Sequence, residues 1–136
     1  MLKFSFNKFI IASWVLFLFF QVGGQIGVFT NGVNAYTVWS EYDTLTHMLG
    51  SFALTSVLIK IITLPEHVDE WKIYVPIIML ASETIWEIVE IIITWGRILP
   101  PTQMFATPSN SFKDVVIGFL ATCTTCFLYQ IYEESK

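Results

Sequence analysis

Ile73 to Trp95 reads IYVPIIMLASETIWEIVEIIITW, and the reading of this stretch decides the fold. It has the length and the Ile, Val, Leu and Trp content of a membrane-spanning helix, yet it carries Glu83, Glu87 and Glu90. Spacings of four and three residues put the three carboxylates within roughly 60° of one another on a helix, with Thr94 continuing the stripe. A carboxylate at membrane depth costs roughly 2.5 to 3.5 kcal/mol even on the gentlest insertion scales, so three on one face require partners, protons, water or a cation. Carboxylates crowded out of water cannot all ionise, and Glu83, the deepest, is expected to carry a proton when no cation is bound.

Composition agrees with a membrane setting. The 136 residues are 54% hydrophobic and 13% charged with a mean hydropathy of +0.64, the profile of a single-domain integral membrane protein. The net charge of -4 has no basic run behind it, so nucleic acid is not an expected partner. Cys123 and Cys126 lie three apart in an apolar run with no second pair, and are expected to be small buried packing residues rather than a metal or thiol site.

The flanking stretches supply three more spans. Phe9 to Phe29 is apolar for about 21 residues, enough to cross a hydrocarbon core of ~30 Å, and Gln21 and Gln25 share a face near its far end. A secretory signal peptide would have a shorter apolar core followed by a small-residue cleavage site. Thr30 to Ser40 reads as a loop with interfacial aromatics at Tyr36 and Trp39. The next helix, about Tyr42 to Leu64, has Asp43 and His47 in its first two turns and Lys60 near an end set by Pro65. The charged connection that follows holds His67, expected to be a solvated loop histidine. Pro76 falls in the first turn of the acidic helix, and Gly96, Arg97, Pro100 and Pro101 close it. The last helix, about Ser111 to Tyr132, has Asn110 and Ser111 as N-cap candidates and places Asp114 in the first turn, where the helix dipole favours negative charge.

The expected fold is therefore all-α: one integral membrane four-helix bundle over residues 1–136, with helices at about 9–29, 42–64, 73–96 and 111–132. Lys3, Lys8, Lys60, Lys72 and Lys136 fall on one side, Arg97 and Lys113 on the other, so both termini are expected in the cytoplasm and the chain in the cell membrane.

Depth, counted at about 1.5 Å per residue, then brings the polar groups together. Asp43, His47, Glu87, Glu90, Asp114, Gln21, Gln25 and Asn110 all fall in the outer half, with Glu83 one turn deeper, while Lys60 and Gln130 are the polar groups of the inner half. A polar pocket opening outward is the expected consequence. Carboxylate and imidazole groups on facing helices are how bundles build metal sites, and one histidine suits a single Zn²⁺, Mn²⁺, Mg²⁺ or Ca²⁺ held by Asp43, His47, Glu87, Glu90 and Asp114. Glu83, Gln21, Gln25 and Asn110 complete the pocket, and Gly118, Ala121, Thr122 and Thr125 are better suited to close helix contact.

YDTLTHMLGSF (Tyr42 to Phe52), WEIVE (Trp86 to Glu90) and SNSFKDVVIGFLA (Ser109 to Ala121), in this order and spacing, resemble the bacterial and archaeal YjdF-like small membrane proteins, distantly similar to VanZ-like proteins. The resemblance covers roughly the last two thirds of the chain, by short motifs. It implies that the family's helix-borne Asp and His correspond to Asp43 and His47, its paired Glu to Glu87 and Glu90, and its later Asp to Asp114. Asn110 stands where an Asp is usual and Gly118 where an Asn is usual, and both changes remove ligand strength. No particular reaction is implied.

Three function classes fit such a pocket. One is a membrane protein binding or acting on a lipid-like or envelope ligand, with Glu87, Glu90 and His47 as candidate catalytic groups and a metal-activated water. Another is an accessory subunit of a larger membrane complex, in which the acidic site is structural. The third is a proton- or cation-coupled transport component with Glu83, Glu87 and Glu90 as a relay, for which the inner half offers little polar continuation.

Overall fold

The computed structural model describes residues 5–39, 41–63, 70–95 and 108–135, with the side chains of Thr94, Trp95, Pro108 and Ser109 outside that description. These residues form helices α1 (Phe6–Gln25), α2 (Ala35–Val38), α3 (Tyr42–Ile62), α4 (Trp71–Trp95) and α5 (Pro108–Glu134), and no strand is present among them. By length and composition, α1, α3 and the Asn110–Glu134 part of α5 can each cross a membrane. α4 has the length but carries the three glutamates.

The boundaries shift from the expected ones for local reasons. α1 starts at Phe6 and stops at Gln25, short of Phe29, because Gly27 adopts φ +74° and the chain turns back on itself, with Val28 N donating to the Gly23 carbonyl at 2.9 Å and Gly32 N to the Gly27 carbonyl at 2.9 Å. The expected loop contains the one-turn helix α2, whose N-cap Asn34 accepts from Tyr36 N at 2.9 Å. α4 starts at Trp71, so Pro76 sits in the second turn, where the Lys72 carbonyl loses its helical donor. α5 starts with Pro108 at a position that needs no N–H, which puts Asp114 in the second turn, beyond the first-turn dipole. His67, Gly96, Arg97, Pro100 and Pro101 lie outside the described residues.

α3 is the central helix, packed most extensively on α5 and then on α1, while α4 lies chiefly against α5. At one end, Phe6, Ile59, Trp71, Val75, Met79 and Tyr129 form an apolar cluster, with the Phe6 and Trp71 rings 4.6 and 5.1 Å from that of Tyr129. Farther along, Thr55 and Thr122 share a hydrogen bond of 3.0 Å between α3 and α5, and Ala121 and Thr125 are buried, as expected of close helix contact. Cys126 packs partly against the apolar cluster, but Cys123, three residues earlier and about 60° around the helix, is exposed rather than buried.

Polarity is inverted relative to a water-soluble domain. Ser51, Thr55, Ser56, Glu83, Glu87, Ser111, Asp114, Thr122 and Thr125 are buried, whereas Ile11, Val15, Phe19, Ile77, Ile85, Phe112 and Phe127 are each more than half exposed.

Gly24 of α1 leaves room for the ring of Tyr42 of α3. A methyl group there would overlap the ring of Tyr42, a fully buried residue whose hydroxyl donates to the Phe20 carbonyl at 2.5 Å. Gly24→Ala is expected to cost about 1 to 3 kcal/mol and to lower the melting temperature in detergent by several degrees. Gly24→Ala/Tyr42→Leu should recover part of that loss, as a thermal-unfolding comparison of the two proteins will show.

Candidate functional site

The site is built where two helical turns of α3 face two of α4. Asp43 and His47 share one face of α3, and Glu83 and Glu87 share one face of α4 by the same spacing of four. His47 Nε2 lies 3.3 Å from Glu87 Oε1 and 3.7 Å from Asp43 Oδ1, while its Nδ1 lies 3.4 Å from Glu83 Oε2. The imidazole, 8% exposed, thus stands among three carboxylates from two helices. The acidic stripe of α4 faces inward, with Glu83 and Glu87 buried and Glu90 partly buried.

Each carboxylate has a different setting. Glu83 Oε1 accepts from the Ser51 hydroxyl, one turn beyond His47 on α3. Across from it, a Cβ on Gly118 of α5 would fall 2.7 Å from Glu83 Cδ, so the carboxyl group occupies the volume a side chain would fill. Glu83, expected to carry a proton, thus accepts from the Ser51 hydroxyl on one oxygen and has His47 Nδ1 3.4 Å from the other. Asp114, fully buried, accepts from Thr44 Oγ1 at 2.5 Å through Oδ1 and from Asn110 Nδ2 at 2.8 Å through Oδ2. Asn110 fits this position because its amide donates where a carboxylate could not.

Glu87 is the exception. Its Oε1 and the Ser111 hydroxyl are buried side-chain atoms without a hydrogen-bond partner among the described residues; His47 Nε2 is within ion-pair distance of Oε1, without hydrogen-bond alignment. An atom left so far from water costs about 1 to 3 kcal/mol unless something bound there compensates.

Two sets of ligand atoms lie mutually within 4.8 Å: those of His47, Glu87 and Glu90, and those of Asp43, His47 and Asp114. The 3.3 Å between His47 Nε2 and Glu87 Oε1 matches the edge of a tetrahedron about an ion with bonds of roughly 2.0 to 2.1 Å. Glu83 at the opposite ring nitrogen is the carboxylate that such a ligand imidazole needs to fix its tautomer. The first set therefore fits a divalent ion. In the second, both Asp114 oxygens are already engaged.

Beside the cluster lies a cavity of about 850 Å³, lined by Phe17, Gln21 and Gln25 of α1, Asn34 and Tyr36 at α2, Asp43, Thr46, His47, Gly50, Ser51 and Leu54 of α3, and Met79, Ser82, Glu83, Trp86 and Glu90 of α4. The cavity lies between α1, α3 and α4, because α1 packs on α3 and α2 but hardly on α4. Asp114, Asn110 and Glu87 are not in its lining. Tyr36 donates to Gln21 Oε1 at 2.7 Å, and burial pushes its phenol up to about 12, so it stays a neutral donor there.

Sequence reasoning missed Ser51, Thr44 and the role of Gly118. Ser51 was within reach, standing four residues after His47 on the same face. Thr44 and Gly118 act on groups 70 and 35 positions away in the chain (Asp114 and Glu83), and no local pattern marks such pairs.

Comparison of the chain with protein-family models, curated proteins and solved structures found no match.

Proposed function

We propose that this is a cell-membrane protein crossing four times, α4 included, with both termini cytoplasmic, whose cavity receives the headgroup of a lipid-like or envelope ligand above a divalent cation held by His47, Glu87 and Glu90. The up-and-down arrangement is supported by Tyr36 reaching Gln21 near the end of α1 and by the Lys113–Glu41 ion pair of 2.9 Å joining the starts of α5 and α3. The resemblance to YjdF-like proteins belongs to the same proposal. An imidazole with carboxylates favours Zn²⁺ or Mn²⁺ over Mg²⁺ or Ca²⁺. Such an ion, when bound, lowers the pKa of a coordinated water or polarises a phosphoryl oxygen. Asp43 borders both the ion and the cavity, and Asp114 with Asn110 and Thr44 braces α5 against α3.

The observation that carries this reading is Glu87 Oε1, buried without a hydrogen bond and 3.3 Å from His47 Nε2. Detergent-purified protein, loaded with Zn²⁺ or Mn²⁺ and desalted, should retain about one ion per chain by elemental analysis, and His47→Ala should retain none. Equal retention by both, or none by either, rejects the cation.

The accessory-subunit reading draws on the satisfied Thr44, Asp114 and Asn110 network, a purely structural use of an acidic residue. It takes over if His47→Ala and Glu87→Gln are merely destabilised and no ion or lipid copurifies. A transport component needs a polar path to the other end, where Phe6, Ile59, Trp71 and Tyr129 offer none.

A further inference from the structure

The cavity has a polarity that narrows what enters it. Asp43, Glu83 and Glu90 line it, and no Lys or Arg does among the described residues. Among the described residues, Lys113 at the start of α5 is paired with Glu41 at 2.9 Å, while Lys8, Lys60 and Lys72 belong to the other ends of α1, α3 and α4. A phosphate or carboxylate headgroup entering without a metal would meet three carboxylates, and the basic group of the lining, His47, is already shared among Asp43, Glu83 and Glu87.

The rest of the lining suits the opposite charge. Trp86, Tyr36 and Phe17 present aromatic rings, which attract cations through their faces, and the side-chain carbonyls of Gln25 and Asn34 are acceptors. Leu54 and Met79 continue the wall with apolar groups, and the volume of about 850 Å³ exceeds what an ion and its water need. Trp86 is 53% exposed, at the border between the cavity and the outer surface of α4.

We infer that the cavity binds a single-chain amphiphile with a cationic headgroup, a long-chain amine or quaternary ammonium, its charge between Asp43, Glu83 and Glu90 and its methylenes along Leu54, Met79 and Phe17. This rests on the reading of the cavity as a ligand site but not on the metal. The organic cation and a metal ion both draw on Glu90, so each lowers the affinity for the other.

The test titrates the full chain, in dodecyl maltoside micelles with chelator present, with dodecyltrimethylammonium and separately with dodecyl phosphate, following heat by calorimetry. Dodecyltrimethylammonium is expected to bind about tenfold or more tighter than dodecyl phosphate. Glu90→Gln and Trp86→Leu should each weaken it severalfold, and Glu41→Gln should leave it unchanged. Equal or tighter binding of the phosphate under chelator, or ammonium binding indifferent to Glu90→Gln and Trp86→Leu, overturns the inference. If dodecyl phosphate binds only after Mn²⁺ is restored and the ammonium does not bind, the cation-assisted reading stands and this one falls. If neither binds with or without Mn²⁺, both fall.

Discussion

Glu87→Gln is expected to lower divalent-cation affinity by more than roughly 100-fold while leaving the melting temperature of the cation-free protein nearly unchanged. Glu87 Oε1 has no hydrogen bond to lose, and His47 Nε2 at 3.3 Å keeps a polar atom beside it. Asp114→Asn should behave in the opposite way. An amide there turns an N–H toward either Thr44 or Asn110, so one of the two hydrogen bonds is lost or its partner must reverse, and the cost falls on stability at about 1 to 3 kcal/mol. From the sequence alone both substitutions are expected to abolish binding without affecting melting; the two hydrogen bonds to Asp114 separate them. Calorimetric cation titration beside thermal unfolding distinguishes the cases, and a Glu87→Gln protein that melts much lower but binds normally would remove Glu87 from the site.

Gly118→Ala is the second large effect, and it acts at a residue that ligates nothing. The added methyl would fall 2.7 Å from Glu83 Cδ, which must move off the position where it meets Ser51 and His47. Losing the carboxylate behind a ligand imidazole typically costs 10- to 100-fold in metal affinity, and about tenfold or more is expected here. Shortening the partner should repair it: Gly118→Ala/Glu83→Asp is expected to regain both melting temperature and part of the affinity. Were Gly118→Ala only less stable, with unchanged affinity, Glu83 would have no orienting role.

How much of this was legible depends on the range of the interaction. The stripe of Glu83, Glu87 and Glu90 and the Asp43–His47 pair are set by helical spacing, and the structure brings them together as that spacing implies. The convergence of α3 and α4 at a common level also follows from counting residues, because helices rise uniformly. The start of α5 at Pro108 did not follow, since Asn110 and Ser111 are equally good caps and a proline suits a first turn as well as a loop. Nor did the gap beside α1: which helices separate depends on side-chain packing, and Phe17, Leu54 and Met79 are apolar residues that either a closed core or a cavity wall would use.

The glutamates of α4 also bear on how the chain is made. On the four-span reading, a helix with three carboxylates leaves the translocon at a cost of roughly 8 to 10 kcal/mol before its isoleucines are counted. The partners of Glu83 and Glu87 on α3, His47 and Ser51, are synthesised first and are already in place, whereas Gly118 emerges from the ribosome afterwards. On that reading α4 enters as the second arm of a hairpin with α3, its charges met on arrival, and α5 is laid last over a carboxylate already in position.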